Sequence, residues 1–271
     1  MPPVVSEWSN LILRWIHVFV GILWIGQTYY FTKLDLRLNA EERNPRPGGA
    51  PAQVWMVHSG GFFIAERQST PKLLPTKLHW FRWEALLTWI SGFLLLGLLY
   101  YSDGLLLDSS VSQISMATGI AIGIGTLIVG WTVYDLLWVS PLARAPVVCG
   151  TICYLLIVGL AYGLTHSLSG RAAYIHVGAL FGTIMSANVW IRILPASRKM
   201  LAAVKQGRQP DMTLGARAKA RTIHNTYMTF AMIFLMISSH FPGTYGSSYN
   251  WLILSAFVLA GGIAAQFVYY A

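Results

Sequence analysis

The sequence predicts an all-α protein: a polytopic transmembrane helix bundle of about seven spans, forming a single domain over residues 1–271. Hydrophobic residues make up 55% of the chain and charged residues only 11%, whereas soluble proteins carry about 25% charged residues. Seven apolar stretches each approach the length of about 20 residues that a membrane helix needs. They cover roughly residues 8–31, 80–101, 113–138, 146–164, 172–194, 222–240 and 250–270.

The first span carries a histidine inside its apolar run. An imidazole at membrane depth costs free energy unless it is paired, solvated or bound to a ligand. Gly21 lies one helical turn from His17 on the same face, so a flat group has room beside the ring. Arg14 lies less than one turn away and is expected either to meet an acidic group of that ligand or to snorkel to the outer surface.

The loop between the first two spans, residues 33–79, is predicted to be a structured cap. A turn cluster begins at Asn44 and is followed by two short apolar runs on either side of Gly60 and Gly61. This pattern is typical of a hairpin. The loop contains His58, which we expect to be exposed to solvent or to face a substrate.

The second basic loop, residues 195–221, is predicted to hold a short amphipathic helix from Ala196 to Lys205 at the membrane surface. Each of these two loops contains seven lysines or arginines. The loop after the second span contains no basic residue, and its only charged residues are Asp103 and Asp108. By the positive-inside rule the basic loops are cytoplasmic and the N-terminus is outside. This distribution explains the net charge of +9, so we expect no nucleic-acid partner.

The histidines of the spans fall at two depths. His17 and His176 lie in the outer half of the membrane, and His79 and His224 lie near its inner surface. Four histidines on four helices match what a bundle needs to hold porphyrins, because neutral imidazole is a standard axial ligand. One haem b between His17 and His176 is expected, with Gly178 leaving room beside it. Using all four would give two haems, but His79 and His224 can also be merely solvated at the interface.

Other polar residues of the spans are candidates for chemistry. Arg82 and Glu84 begin the second span beside His79, and Asp135 lies near the inner end of the third span, where it is either in a salt bridge or moves a proton. Asn188 is expected to form an interhelical hydrogen bond. No Cys-x-x-Cys-His motif occurs, so no haem c is attached to this chain, and no hydrolase or zinc-hydrolase pattern is present.

Several motifs together resemble a known family over nearly the whole chain. They include the run Arg14 to Gly26, the run Val57 to Phe62, the run Leu78 to Glu84, Gly130-Trp131-x-x-Tyr134-Asp135, the run Gly170 to Gly178, and His224-Asn225-x-Tyr227. These residues are similar to the membrane domain of the bacterial cytochrome-c-linked urate hydroxylase, also called membrane-bound urate oxidase.

The resemblance implies that urate is oxidised with water to 5-hydroxyisourate, with two electrons passing to a cytochrome c-type acceptor. It implies a bacterial inner-membrane location within the lipid bilayer. Family members usually carry a C-terminal cytochrome c domain, and we expect none within residues 1–271, because no haem-c motif occurs there. We expect His58, Glu84 and Asp135 to be catalytic and His58 and Arg82 to bind the urate anion. Haem is expected on His17, His176, His79 and His224, with Arg14, Gly21 and Gly178 beside it.

Two other functions are alternatives to urate oxidation. One is a haem b electron-transfer or quinol-linked subunit of a respiratory assembly without purine chemistry, although such a carrier has little need for a long histidine-bearing loop. The other is a transporter or channel, which favours broken helices and a polar path at the midplane. The polar groups here lie mainly near the ends of the spans, which argues against transport.

Overall fold

The computed structural model describes residues 2–44, 51–68 and 77–270, so most of the predicted turn cluster after Asn44 lies outside the described residues. The described chain forms a helix bundle with one hairpin, which confirms the predicted all-α class. The order is α1 (Pro3–Arg43), β1 (Gln53–His58), β2 (Gly61–Glu66), α2 (Trp83–Leu96), α3 (Met116–Val139), α4 (Pro146–Thr165), α5 (Gly170–Ala187), α6 (Leu194–Lys205), α7 (Met212–Ile237), α8 (Pro242–Tyr245) and α9 (Asn250–Tyr270).

Six helical segments among the described residues are long and apolar enough to cross a membrane. They contain α1, α2, α3, α4, the continuous helix that includes α5 and α6, and α9. The chain is therefore a multi-pass membrane protein. α7 covers the remaining predicted span and packs against α5 and α9, but its first half carries the charges of Arg217, Lys219 and Arg221.

α5 is the central helix of the bundle. In the most apolar stretch of the helix Gly170–Lys205, which begins with α5, half of the residues are buried, compared with 11% for the corresponding stretch of α1. Ser169 caps its N-terminus by accepting a hydrogen bond from the backbone N–H of Ala172 at 3.2 Å. Glycines of α3 allow close packing against α5: a Cβ on Gly130 would lie 2.7 Å from Leu180. The predicted helical span at 172–194 is thus present as the core element against which the other helices pack.

α1 extends well beyond the predicted first span. Its 41 residues correspond to roughly 60 Å at about 1.5 Å per residue, about twice the thickness of the hydrocarbon core. Residues 33–43 were predicted as loop and are helical instead. Tertiary ion pairs stabilise this polar extension, since Asp35 pairs with Arg67 after the hairpin and with Lys219 of α7.

The predicted hairpin is confirmed. β1 and β2 pair antiparallel, with Val57 opposite Phe62, and a two-residue turn joins them. Ser59 and Gly60 have φ values of 50° and 78°, the left-handed conformations that tight hairpin turns require. The hairpin packs along α1, where the hydroxyl of Tyr30 donates to the sulfur of Met56 at 3.2 Å.

The predicted helix of the second basic loop is present as α6, but it is not a separate surface helix. A π-helical turn, Asn188–Ile193, joins α5 directly to α6, so the two form one helix from Gly170 to Lys205. The rest of that loop is shorter than predicted, because α7 already begins at Met212.

Candidate functional site

A cavity of about 720 Å³ lies between α1, α2, α5 and α7, within the range of about 300–1,000 Å³ typical of ligand sites. On the predicted topology it occupies the outer half of the bundle. Most of its wall is aliphatic or aromatic. Its polar lining includes Arg14, His17, Thr88, Arg171, Thr183 and His240.

His17 is held in the cavity wall by two groups of α2. Its Nδ1 lies 3.0 Å from the carbonyl oxygen of Thr88 and 3.0 Å from the hydroxyl of Ser91. A carbonyl only accepts, so Nδ1 donates to Thr88 and the neutral ring keeps its lone pair on Nε2. This arrangement, with one ring nitrogen donating to a backbone carbonyl, is the one that metal-binding histidines use.

Two glycines make room for this imidazole and for a neighbour. A Cβ on Gly92 would lie 2.9 Å from Cε1 of His17, so only glycine lets the ring sit against α2 in this way. Gly21 lines the cavity as predicted, and a Cβ there would meet only Thr88, at 3.9 Å. The space beside His17 therefore belongs to the cavity itself.

Positive charge lies along the cavity wall without a matching carboxylate. Arg14 and Arg171 both line the cavity, and none of the described residues lining it is Asp or Glu. The Nε of Arg171 is buried without a hydrogen-bond partner among the described residues. Arg14 donates to Asn10 at 2.6 Å. The cavity is thus suited to a largely apolar ligand that carries acidic groups.

The structure does not bring His176 into this cavity. Its Nδ1 is 2.8 Å from the carbonyl oxygen of Ala172, and its Nε2 is 3.1 Å from the hydroxyl of Tyr101. It faces Gly123 of α3, where an added Cβ would lie 2.5 Å from Nε2. Ile175 is the α5 neighbour that lines the cavity, because consecutive helical residues point about 100° apart.

Gly178 also differs from the prediction. A Cβ at Gly178 would lie 3.0 Å from Met236 and 3.1 Å from Leu235, so this glycine permits close packing of α5 against α7. Gly182, one turn further on, lines the cavity instead. Gly178 thus lies at the contact between α5 and α7 and not among the residues lining the cavity, and its role beside a cofactor stays a prediction.

His240 is the second imidazole of the cavity wall. It ends a short 3-10 helix, Ser238–His240, that follows α7. The sequence places His240 only at an outer helix end, and Arg171 only beside the start of the fifth span. The sequence could have grouped these two residues with His17, because all three lie at the same predicted depth. It could not show that they face the cavity, because the side of a helix that faces a cavity depends on tertiary packing.

A buried polar network occupies the inner half of the bundle. Asp135 forms ion pairs with Arg192 and with Arg221, the latter at 3.0 Å. Asn188 donates to the hydroxyl of Tyr134 at 3.0 Å, which is an interhelical bond of the predicted kind. The carboxylate of Asp135 is only 9% exposed and is held by two guanidinium groups, so the salt-bridge alternative describes it.

The two inner histidines contact different helices. His224 Nδ1 lies 2.8 Å from the hydroxyl of Tyr134, and its ring centre lies 4.0 Å from that of Trp138 on α3. His79 packs edge-on against Phe81, which in turn contacts Phe31 of α1. Neither histidine is among the residues lining the outer cavity. The geometry therefore gives no support to a second porphyrin between them.

Arg82 and Glu84, two further predicted site residues, lie at the start of the second span outside the cavity. Arg82 stacks over the rings of Trp83 and Trp190, 5.2 and 5.9 Å from their centres. Glu84 accepts a hydrogen bond from Gln27 of α1 at 3.2 Å.

His58 is exposed at the end of β1, beside the hairpin turn. The three residues predicted to be catalytic, His58, Glu84 and Asp135, thus have separate surroundings: a hairpin tip, a contact with α1 and a buried ion pair. The described residues hold no cluster of three or more His, Cys, Asp or Glu side chains suited to an isolated metal ion.

The fold and the site together define a multi-pass membrane protein with a large apolar cavity. The cavity wall carries an imidazole with a free ring nitrogen and two arginines without an acidic partner in the described lining. The model of the urate oxidase N-terminal family matches residues 3–271, and the chain belongs to that family. This confirms the resemblance found in the sequence and indicates a urate-related oxidoreductase function. No curated protein and no solved structure matches the chain.

Proposed function

We propose that this protein oxidises urate with water to 5-hydroxyisourate and passes the electrons outward through one haem b in the cavity to a cytochrome c-type acceptor. The observation that carries the proposal is the setting of His17. Its Nδ1 is fixed by Thr88 while Nε2 remains available beside a cavity of about 720 Å³. The reaction forms a C–O bond from water and releases two protons and two electrons per urate.

The residues of the cavity fit a haem. His17 and His240 would hold the haem iron, so His240 takes the place that the sequence prediction gave to His176. Arg14 and Arg171 would pair with the two propionates, because guanidinium groups bind carboxylates strongly. When bound, a haem with two imidazole ligands supplies a one-electron relay between donor and acceptor.

The protein's own groups prepare this site. The Thr88 carbonyl fixes the tautomer and orientation of His17, which raises the basicity of the ligand nitrogen. The apolar wall excludes water, and exclusion of water strengthens the interaction of the arginines with carboxylates. Rigid positioning of this kind keeps the reorganisation that accompanies each electron transfer small.

Urate is expected to approach from the cytoplasmic side, where the basic loops attract its anion. Arg82 with Trp83 and Trp190 offers a cation and aromatic faces to a flat anionic purine. Asp135 is held by two arginines, whereas no arginine of the described part of the chain forms an ion pair with Glu84. It contacts Gln27, the residue after Gly26 of the cavity wall, so we propose Glu84 as the proton acceptor.

A reduced-minus-oxidised spectrum of the purified protein tests the proposal, with urate as the sole reductant. A Soret band that responds to urate is expected. His17→Ala and His240→Ala should lose haem, whereas His166→Ala, whose ring bonds to the carbonyl of Tyr162 outside the cavity, should retain it. No Soret band, or equal haem in all three variants, would contradict the assignment.

The alternative, a haem b subunit without purine chemistry, is favoured by one observation: His58, Glu84 and Asp135 are not assembled into one site. The same spectrum distinguishes the two functions. Reduction by a quinol but not by urate would support an electron carrier, with the haem site unchanged.

A further inference from the structure

The outward face of the hairpin is apolar and exposed. The register of β1 and β2 puts Trp55, Val57, Phe62 and Ile64 on one face, because side chains alternate along a strand. These residues are 58%, 71%, 78% and 51% exposed, respectively. The opposite face carries Val54, which is buried against α1, and nearer the tip Phe63, which is 51% exposed. An apolar surface of this kind on a membrane protein calls for a partner.

Contacts with α1 show which way the hairpin points. At its root, Arg67 pairs with Asp35 and with Glu42, the latter at 2.6 Å. Nearer its tip, Met56 contacts Tyr30. Going from root to tip therefore means going back along α1, from its charged cytoplasmic extension toward its apolar run, which ends at Phe31. The tip lies at the level where α1 leaves the membrane.

Other residues at this level have the composition of a membrane interface. Phe31 packs edge-on against Phe81, with ring centres 5.0 Å apart, and the exposed Trp83 follows. Lys33 and Arg37 come next along α1 and face the space beside β1. Aromatic rings with basic residues just beyond them match the headgroup region of a cytoplasmic leaflet, where anionic lipids attract Lys and Arg.

We propose that the hairpin is a lipid-binding element: the face formed by Trp55, Val57, Phe62 and Ile64 lies in the headgroup and upper acyl region of the cytoplasmic leaflet. The unpaired edges of a two-stranded sheet need hydrogen-bond partners, so the hairpin stays in the hydrated interface and does not enter the hydrocarbon core. The root, with Glu66 on the same face, remains in water. This inference is independent of the proposed catalytic function.

Site-directed spin labelling in lipid nanodiscs containing phosphatidylcholine and phosphatidylglycerol tests the proposal. The labels are placed at Phe62→Cys and Val57→Cys, with Glu66→Cys as the matched control on the same face and with Cys149 and Cys153 replaced by alanine. The tip labels should collide more with oxygen and at least several-fold less with a water-soluble nickel chelate than the label at the root. The side chains at the three labelled positions are exposed, so the labels should not disturb the fold, and the protein with only Cys149 and Cys153 replaced serves as the folding control.

Two results would overturn the proposal. Nickel accessibility as high at the tip as at the root would show that the face lies in water. Spin–spin broadening at the tip that disappears on dilution with unlabelled protein would show that a second copy of the chain covers it. Both tip labels must show the accessibility expected in lipid, because Val57 and Phe62 lie opposite each other on β1 and β2.

Discussion

Gly92→Ala tests how closely α2 holds His17. The added methyl would lie 2.9 Å from Cε1 and 3.4 Å from Nδ1 of the ring. Moving Cε1 from 2.9 Å to the 3.4 Å of ordinary van der Waals contact requires a shift of about 0.5 Å. The hydrogen bonds from Nδ1 to Thr88 and Ser91, both now 3.0 Å, would then approach the limit of hydrogen bonding.

Two opposing energies decide the outcome. Alanine is favoured over glycine in a helix by about 1 kcal/mol, whereas overpacking a close-packed site costs about 1–3 kcal/mol. Gly97→Ala is the matched control: Gly97 begins the π-helical turn Gly97–Ser102 that continues α2, and a Cβ there has no neighbour within 4 Å. Gly92→Ala should therefore be less stable than Gly97→Ala by about 1–3 kcal/mol.

The assay is thermal unfolding of both variants in detergent, followed by circular dichroism, together with the amount of haem that co-purifies. The Gly97→Ala control should unfold at or above the wild-type temperature and keep the haem that we propose. Gly92→Ala should unfold earlier and retain less haem. Equal unfolding temperatures for the two variants would refute the close contact between Gly92 and His17.

Two further predictions concern the inner network and a helix end. Asp135→Asn leaves the buried guanidinium of Arg221 without its carboxylate and should cost about 3–5 kcal/mol of stability; Arg192→Gln, at a side chain 40% exposed, should cost much less, and equal losses in thermal unfolding would contradict this order. Hydrogen bonds from Thr213 hold the pKa of Asp211 below its ordinary value of 3.8, so this N-cap stabilises the start of α7 above that pH and is lost as the pH falls through the lowered value. The protection of the Thr213 amide from exchange, relative to the intrinsic rate at each pH, should fall in that acidic range but stay level in Asp211→Asn, and identical pH profiles of this protection would count against the cap.

The membrane spans could be predicted from the sequence because a bilayer demands long uninterrupted apolar runs. The hairpin could be predicted because its turn needs the conformations that Ser59 and Gly60 adopt. The polar extension of α1 beyond the first span could not be predicted, since its stability comes from distant partners. Asp35, for example, pairs with Arg67 and Lys219.

The candidate site could be predicted only in part. Hydropathy gives the depth of a residue in the membrane, so it put His17 in the outer half. Depth does not give the direction in which a side chain leaves its helix, and this is why His176 was paired with His17 although it faces Gly123. For the same reason the sequence did not identify His240 and Arg171 as cavity residues, because the directions of their side chains depend on how α5 and α7 pack.

The π-helical turn from Asn188 to Ile193 has a consequence for how the two ends of the bundle are built. Such a turn contains one residue more than an α-helical turn, which offsets the angular phase of everything after it by about 100°. Deleting one residue there would leave both halves helical but rotate one against the other, carrying Arg192 away from Asp135 while Thr183 stayed in the cavity wall. The extra residue of the π-helical turn thus allows one continuous helix to line the cavity with its first part and to contact Asp135 with Arg192, although the cavity and Asp135 lie in different directions.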